Sequence, residues 1–81
     1  MKIQILGSGC PKCKLLEAQA RDAVAAMGLA AEIEKVTEID KIMEFGVMMT
    51  PALVIDGKVK SIGKVLTKDQ VMAILKEGKN G

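Results

Sequence analysis

The two cysteines of the chain, Cys10 and Cys13, are its candidate reactive residues. They are separated by two residues, so on a helix both lie within one turn, close enough for a disulfide bond. The 81 residues include no histidine, which excludes histidine-based acid–base chemistry and removes a common ligand of catalytic zinc and of haem. Thiol–disulfide exchange is therefore the chemistry that the sequence favours.

The residues around the pair predict a strand, a turn and a helix. Residues 2–6 are mainly apolar and stop at Gly-Ser-Gly, which is typical of a strand that enters a turn. From Pro11 to about Met27 the apolar residues recur at helical spacing, which predicts an amphipathic helix. Proline is tolerated in a first helical turn, and Gly28 is a natural residue just after a helix end.

This arrangement predicts different roles for the two thiols. Cys10 lies at the helix start, where free backbone N–H groups and the helix dipole stabilise a thiolate, and Lys12 adds nearby positive charge. We therefore expect Cys10 to be the nucleophile. Cys13 lies on the apolar face of the helix, so we expect it to be more buried, to have a higher pKa and to resolve a mixed disulfide.

The next segments predict a second strand and a short helix. Residues 30–36 carry weak strand signals among charged residues, which indicates a partly exposed edge strand. Thr37 is the expected cap of a short helix, and Gly46 is expected to end it.

The last third of the chain predicts a β-hairpin followed by a helix. The apolar residues 52–55 and the lysine-bearing residues 58–62 flank an Asp-Gly turn, which is a hairpin signature with an exposed second strand. Thr67 and Gln70 have the spacing of a capping box at the start of a helix, and Gly78 is expected to end that helix.

The predicted order is β-α-β-α-β-β-α within a single domain that covers residues 1–81. A helical crossover joins two parallel strands and a hairpin adds two more, so we expect an α/β fold with a mixed four-stranded sheet and helices on both faces. A chain of this length is too short to divide into two cores. The six methionines are expected mainly to fill the core, with some lining a docking surface.

Composition and charge exclude several classes of partner. The net charge is only +2 and Phe45 is the only aromatic residue, so nucleic acid is not an expected partner. The apolar runs are too short for a secretory segment or a membrane span, and two cysteines are too few for a disulfide-stapled secreted fold. We therefore expect a soluble cytoplasmic protein without a membrane partner.

A CxxC pair also occurs in metal sites, which gives two alternatives. Zinc needs two further ligands, and only a dimer could supply them because the chain has no other cysteine and no histidine, so we expect no metal. A copper carrier holds Cu(I) on two thiolates after its first strand, and this is the alternative function. That fold ends in a strand, whereas this chain is predicted to end in a helix.

Two motifs resemble those of a known family. They are Gly-Cys-Pro-Lys-Cys at residues 9–13 and Thr-Pro followed by an apolar strand at residues 50–58. With these motifs the chain resembles a thioredoxin-like fold over nearly its whole length. It is most similar to the small glutaredoxin-like redox-active disulfide proteins of archaea and bacteria. The resemblance implies a cis Pro51 and a Thr50 backbone beside Cys10 that pairs with an extended substrate segment. The expected substrate-binding residues are Pro11, Lys12, Thr50 and Pro51.

The resemblance implies a thiol–disulfide oxidoreductase that needs no cofactor. The Cys10 thiolate would attack a protein disulfide, and Cys13 would release the reduced substrate and leave a Cys10–Cys13 disulfide. The expected partners are protein disulfide substrates and an upstream reductase, and we expect a monomer. An accessory subunit that serves one particular reductase or transporter would carry the same motif.

Three positions depart from the family pattern. Gln4 stands six residues before the first cysteine, where thioredoxins have a buried acid, so the proton of Cys13 must go to water or to another group. Gly9 replaces the aromatic residue that usually precedes the first cysteine in thioredoxins. A single Gly63 followed by Lys64 replaces the Gly-Gly pair and acid of glutaredoxins, which counts against glutathione as a partner.

Overall fold

The computed structural model describes residues 1–80, with side chains for residues 1–77. The described residues form four strands and three helices in the predicted order: β1 (Lys2–Leu6), α1 (Pro11–Met27), β2 (Glu32–Val36), α2 (Ile39–Glu44), β3 (Ala52–Ile55), β4 (Lys58–Ile62) and α3 (Lys68–Asn80). None of these helices, within the described part of the chain, is long and apolar enough to cross a membrane. The order confirms the predicted α/β fold.

The four strands form one mixed sheet in the order β2-β1-β3-β4. β1 runs parallel to β2 and antiparallel to β3, and β3 runs antiparallel to β4. β2 and β4 are therefore the two edge strands, which confirms both predictions of an exposed edge. β2 begins at Glu32 rather than at residue 30.

The register of the two central strands positions the cysteine loop. Leu6 at the end of β1 pairs with Ala52 at the start of β3. Because these strands are antiparallel, the chain leaves β1 and enters β3 at the same end of the sheet. The loop that leads to Cys10 therefore lies beside the loop that contains Thr50 and Pro51.

Helices cover both faces of the sheet, as predicted. On one face, Ile3, Ile5 and Leu53 pack with buried residues of α1 and α3. On the other face, Val54 packs with Ile42 of α2. Complete burial of a leucine or isoleucine side chain stabilises a fold by about 1.5–3 kcal/mol relative to exposure, so both clusters hold the helices against the sheet.

Helix α1 has both of its predicted end signals. Pro11 occupies its first turn, and Gly28 after its last turn has a left-handed φ of 62°. The Gly28 N–H donates to the Ala25 carbonyl at 3.2 Å, and the Leu29 N–H donates to the Val24 carbonyl at 3.1 Å. These two bonds satisfy carbonyls that the last turn would otherwise leave free, so the helix ends here.

The hairpin and the start of α3 also follow their sequence signals. Asp56 and Gly57 have positive φ values of 50° and 83°, as a two-residue turn between β3 and β4 requires. The Gln70 N–H donates to the Thr67 hydroxyl at 3.2 Å, and the Thr67 N–H donates to the Gln70 side-chain oxygen at 2.9 Å. This reciprocal pair is the predicted capping box.

Two predicted helix ends are wrong. Glu38, and not Thr37, is the residue that precedes α2. The Ile42 N–H donates to the Glu38 carbonyl at 3.0 Å, and burial of the Ile42 side chain fixes this phase of the helix. Helix α3 continues past Gly78 to Asn80, because a glycine inside a helix costs only about 1 kcal/mol relative to alanine.

Replacement of the capping threonine tests the start of α3. We expect Thr67→Ala to lower the free energy of unfolding by about 1 kcal/mol, because it removes the acceptor of the Gln70 N–H. Thr37→Ala is the matched control, and we expect it to stay within about 0.5 kcal/mol of the parent, because α2 begins one residue later. Urea unfolding followed by circular dichroism measures both, and equal losses would contradict the assignment.

Candidate active site

The two thiols lie where β1 passes into α1. Cys10 is the residue before the first turn of α1, with φ of −68° and ψ of 164°. Its Sγ lies 2.8 Å from the Sγ of Cys13, and both cysteines are free thiols. A disulfide bond is about 2.05 Å long, so a small movement of the two sulfurs is enough to bond them.

The two sulfurs differ in exposure, as predicted. Cys10 is half-buried, whereas Cys13 is only 5% exposed. Cys13 shares the buried face of α1 with Leu16 and Ala20. A disulfide from outside the protein therefore reaches Cys10 more readily than Cys13.

Contact with Cys13 lowers the pKa of the Cys10 thiol below its ordinary value. The largest cause is the hydrogen bond from the Cys13 side chain, and backbone groups of Cys13 and Lys12 lower the pKa further. The sequence predicted the direction of this shift, but it assigned the shift to the helix start and to the charge of Lys12. The neighbouring thiol is the larger cause.

Burial raises the pKa of the Cys13 thiol, and its hydrogen bond with Cys10 raises the pKa further. A neutral Cys13 donates its S–H to the Cys10 thiolate, so one contact shifts two pKa values in opposite directions. Because the thiolate is the reactive form of cysteine, this arrangement makes Cys10 the better nucleophile at neutral pH.

Gly7 is a residue of the site that the sequence analysis did not identify. A Cβ at this position would overlap the Cys13 Sγ. The backbone of Gly7 is held in place, since its N–H donates to the Val36 carbonyl at 2.9 Å. The small size of Gly7 therefore leaves room for the sulfur. Its place directly after β1 was the available signal, but a glycine at a strand end usually marks only a turn.

The expected substrate-binding residues lie at the same end of the sheet as the thiols. The Thr50-Pro51 peptide bond is cis, as the resemblance implied. Thr50 is exposed and lies next to Gly7, and Pro51 is buried. Pro11 and Lys12 are exposed in the first turn of α1.

An apolar groove of about 330 Å³ lies beside the cysteine loop. Its lining comes from that loop, from α2 and from the loop before β3: Ser8, Ile39, Ile42, Met43, Val47, Met48 and Thr50. Met48 is 89% exposed, Met49 is 63% exposed and Met43 is 60% exposed. The prediction that methionines mainly fill the core is wrong for these three. Met43 lies on α2, which has six residues and buries only Ile42, whereas Met48 and Met49 lie in the loop between α2 and β3.

The Gln4 side chain is directed to the neighbouring edge strand. Its amide donates to the Glu34 carboxylate at 3.4 Å across the β1–β2 pair. The same carboxylate forms an ion pair with the Lys2 ammonium group at 3.2 Å. An amide is not a base at neutral pH, so Gln4 supplies no proton acceptor for Cys13.

A family profile described as "Thioredoxin domain" matches residues 1–76. The chain belongs to the thioredoxin domain family. This membership, together with two free thiols at hydrogen-bonding distance from each other, supports thiol–disulfide oxidoreductase activity as the general function.

Two archaeal proteins named thioredoxin are similar to this thioredoxin-domain chain along almost their whole lengths. The one from Methanothermobacter thermautotrophicus is 47% identical over 75 residues, which cover 93% of this chain and 97% of that protein. One from Methanocaldococcus jannaschii is 38% identical over 80 residues, which cover 95% of this chain and 92% of that protein. A solved structure described as that of a malarial protein has a TM-score of 0.66 at 15% identity and covers 94% of this chain and 93% of that chain, which shows a shared fold.

Enlargement of Gly7 tests its contact with Cys13. We expect Gly7→Ala to lower the free energy of unfolding of the reduced protein by about 1–3 kcal/mol, because the added methyl group displaces the Cys13 sulfur. In a Cys13→Ala background the same change should cost roughly half as much or less, since the sulfur is absent. Denaturant unfolding of the four proteins under reducing conditions measures both costs. Equal costs in the two backgrounds would contradict the contact.

Alkylation against pH tests the source of the Cys10 pKa shift. We expect Cys10 to be modified with a midpoint below that of an unperturbed thiol, so that it reacts faster than Cys13 at neutral pH. Cys13→Ala should raise the Cys10 midpoint because it removes the largest cause of the shift, and Cys13→Ser should give a midpoint between the two, because its hydroxyl can still donate. Iodoacetamide labelling followed by mass spectrometry measures each midpoint. An unchanged midpoint in Cys13→Ala would assign the shift to the helix start alone.

Proposed function

We propose that this thioredoxin-domain protein is a dithiol reductase of protein disulfides. The observation that carries the proposal is the contact of 2.8 Å between two free thiols whose pKa values are shifted in opposite directions. One sulfur is activated and accessible, and the other is neutral and buried. These are the properties that the two steps of disulfide reduction need.

In the first step, the Cys10 thiolate attacks one sulfur of a substrate disulfide. A Cys10–substrate disulfide forms, the substrate S–S bond breaks, and the second substrate sulfur leaves as a thiolate. In the second step, Cys13 loses its proton and attacks the Cys10 sulfur. The Cys10–Cys13 disulfide forms and the other substrate thiolate leaves, so the substrate gains two electrons and the protein loses two.

The substrate face in this proposal combines Thr50, Pro51, Pro11 and Lys12 with the apolar groove. Thr50 is exposed and lies next to the cysteine loop, which suits an extended segment of the substrate. The groove offers an apolar surface on the same side, and flexible methionine side chains can adapt to different partners. Segments with apolar residues beside the disulfide are therefore the preferred substrates.

The remaining parts of the proposal concern the partners. A reductase must return two electrons to the Cys10–Cys13 disulfide after each cycle, since the proposed cycle oxidises the dithiol. We propose that the protein acts as a cytoplasmic monomer. The single Gly63 followed by Lys64 supports a protein reductase over glutathione as the donor.

The copper-carrier alternative receives no support. The similar proteins are named thioredoxin, and among the described elements the hairpin β3–β4 comes late and is followed by helix α3 rather than by a strand. The contact between the two thiols and their opposite pKa shifts suit disulfide exchange.

Reduction of insulin disulfides in the presence of dithiothreitol tests the proposed function. We expect the parent protein to accelerate the reaction, Cys10→Ser to abolish the acceleration, and Cys13→Ser to reduce it at least tenfold, because the second step is then lost. Cys13→Ser should also trap a mixed disulfide with the substrate at Cys10, which mass spectrometry detects.

Lys58→Ala is a control on β4, outside the cysteine loop and the apolar groove, and we expect it to keep most of the parent activity. An inactive parent, or a Cys13→Ser variant that traps no mixed disulfide, would contradict the proposed function.

A further inference from the structure

The methionines of this chain fall into groups that differ in exposure. Met27 and Met72 are partly buried and pack against the core between the sheet and helices α1 and α3. Met43, Met48 and Met49 are exposed. Of these three, only Met43 and Met48 line the apolar groove beside the cysteine loop. Two exposed methionine side chains are therefore part of the surface that the proposed function assigns to substrate docking.

The thioether sulfur of an exposed methionine is open to attack by hydrogen peroxide. The peroxide O–O bond breaks, one oxygen atom bonds to the sulfur, and the other leaves as water, so the sulfur loses two electrons and the peroxide gains them. The product, methionine sulfoxide, is polar, whereas the thioether is apolar. Oxidation therefore changes the polarity of a surface that contains methionine.

The groove depends on its methionines for exposed apolar surface. Two of its other apolar lining residues, Ile42 and Val47, are buried. Met43, Met48 and Ile39 are exposed, so oxidation of both methionines alters two of these three side chains. A sulfoxide is hydrated in the free protein and loses that water when an apolar segment covers it, which costs free energy. Oxidation thus opposes the docking of apolar substrate segments.

The thiols respond to the same oxidant in a different way. Peroxide converts the Cys10 thiolate to a sulfenic acid, which condenses with the Cys13 thiol 2.8 Å away, and the Cys10–Cys13 disulfide forms with release of water. In the proposed cycle a reductase returns two electrons to that disulfide. A methionine sulfoxide needs a methionine sulfoxide reductase instead. The change in the groove therefore persists after the thiols have been reduced again.

We propose that Met43 and Met48 are peroxide-sensitive modification sites that regulate substrate docking. Their oxidation to sulfoxides weakens the binding of apolar substrate segments and leaves the Cys10–Cys13 chemistry intact. This inference rests on the proposed function. It makes the groove the regulated element, hydrogen peroxide the signal, and methionine sulfoxide reduction the reversal.

The test starts from the disulfide form of the parent protein, in which the thiols are protected. Hydrogen peroxide is added and then removed with catalase, and dithiothreitol restores the thiols without reducing the sulfoxides. Mass spectrometry locates the oxidised methionines. We expect Met43 and Met48 to be oxidised several-fold faster than Met27 and Met72, because the latter two pack against the core.

The functional measurement compares two peptide disulfides that differ only in the residue beside the cysteine, which is leucine in one and serine in the other. We expect oxidation to raise the KM for the leucine peptide by about fivefold or more, because the sulfoxides lose water against the leucine side chain. The KM for the serine peptide should stay unchanged. The rate with hydroxyethyl disulfide, a molecule too small to fill the groove, reports on the thiols alone and should also stay unchanged.

Leucine variants identify the responsible residues, each compared with itself before and after peroxide. In Met43→Leu/Met48→Leu the KM for the leucine peptide should not respond, since leucine has no sulfur to oxidise. Met49→Leu is the matched control, because Met49 is 63% exposed and Met43 is 60% exposed, but Met49 does not line the groove. It should keep the full response of the parent. Methionine sulfoxide reductases should restore the KM of the oxidised parent.

Several results would overturn the inference and leave the proposed function standing. One is an unchanged KM in an active parent whose Met43 and Met48 have become sulfoxides. Another is an equal response in the parent and in Met43→Leu/Met48→Leu, or a response lost in Met49→Leu. Equal KM rises for both peptides, or slower reaction with hydroxyethyl disulfide, would place the damage outside the groove. A parent that is inactive before peroxide treatment would overturn the proposed function and this inference together.

Discussion

The contact between the Cys10 and Cys13 sulfurs is the interaction on which the chemistry of this protein depends. At 2.8 Å it allows one thiol to donate to the other, so the proton is held by the buried sulfur and the charge by the accessible one. The contact needs three structural features. Helix α1 must begin directly after Cys10, Cys13 must face the core, and Gly7 must leave room for its sulfur.

The antiparallel register of β1 and β3 brings the loop of Thr50 and Pro51 to this sulfur pair. The pairing of Leu6 with Ala52 places the ends of two loops side by side, although they are far apart in sequence. Helix α2 then covers only part of the sheet, because it is short and buries only Ile42. The same shortness leaves the apolar groove open next to the thiols, so the strand register positions the thiols beside Thr50 and the short helix leaves the groove uncovered.

The parts of this structure that the sequence predicted are those that local signals decide. Periodicity fixed α1, the Asp-Gly pair fixed the hairpin, and the Thr67 capping box fixed the start of α3. The errors concern features that tertiary contacts decide. Because Ile42 is buried, α2 begins after Glu38 and not after Thr37 as predicted. Likewise, the role of Gly7 depends on the sulfur of Cys13, six residues away in sequence. A local pattern of strand and turn residues cannot predict this contact.

The burial that separates the two thiols also creates a difficulty for the second step. Burial protects Cys13 from outside disulfides and keeps it neutral while Cys10 is charged, but the same burial opposes its ionisation later. Thioredoxins with a buried acid on the first strand have a proton acceptor for this step, and Gln4 gives this chain none there. The proton of Cys13 must therefore pass to water or to another group while the contact with Gly7 keeps the thiol buried.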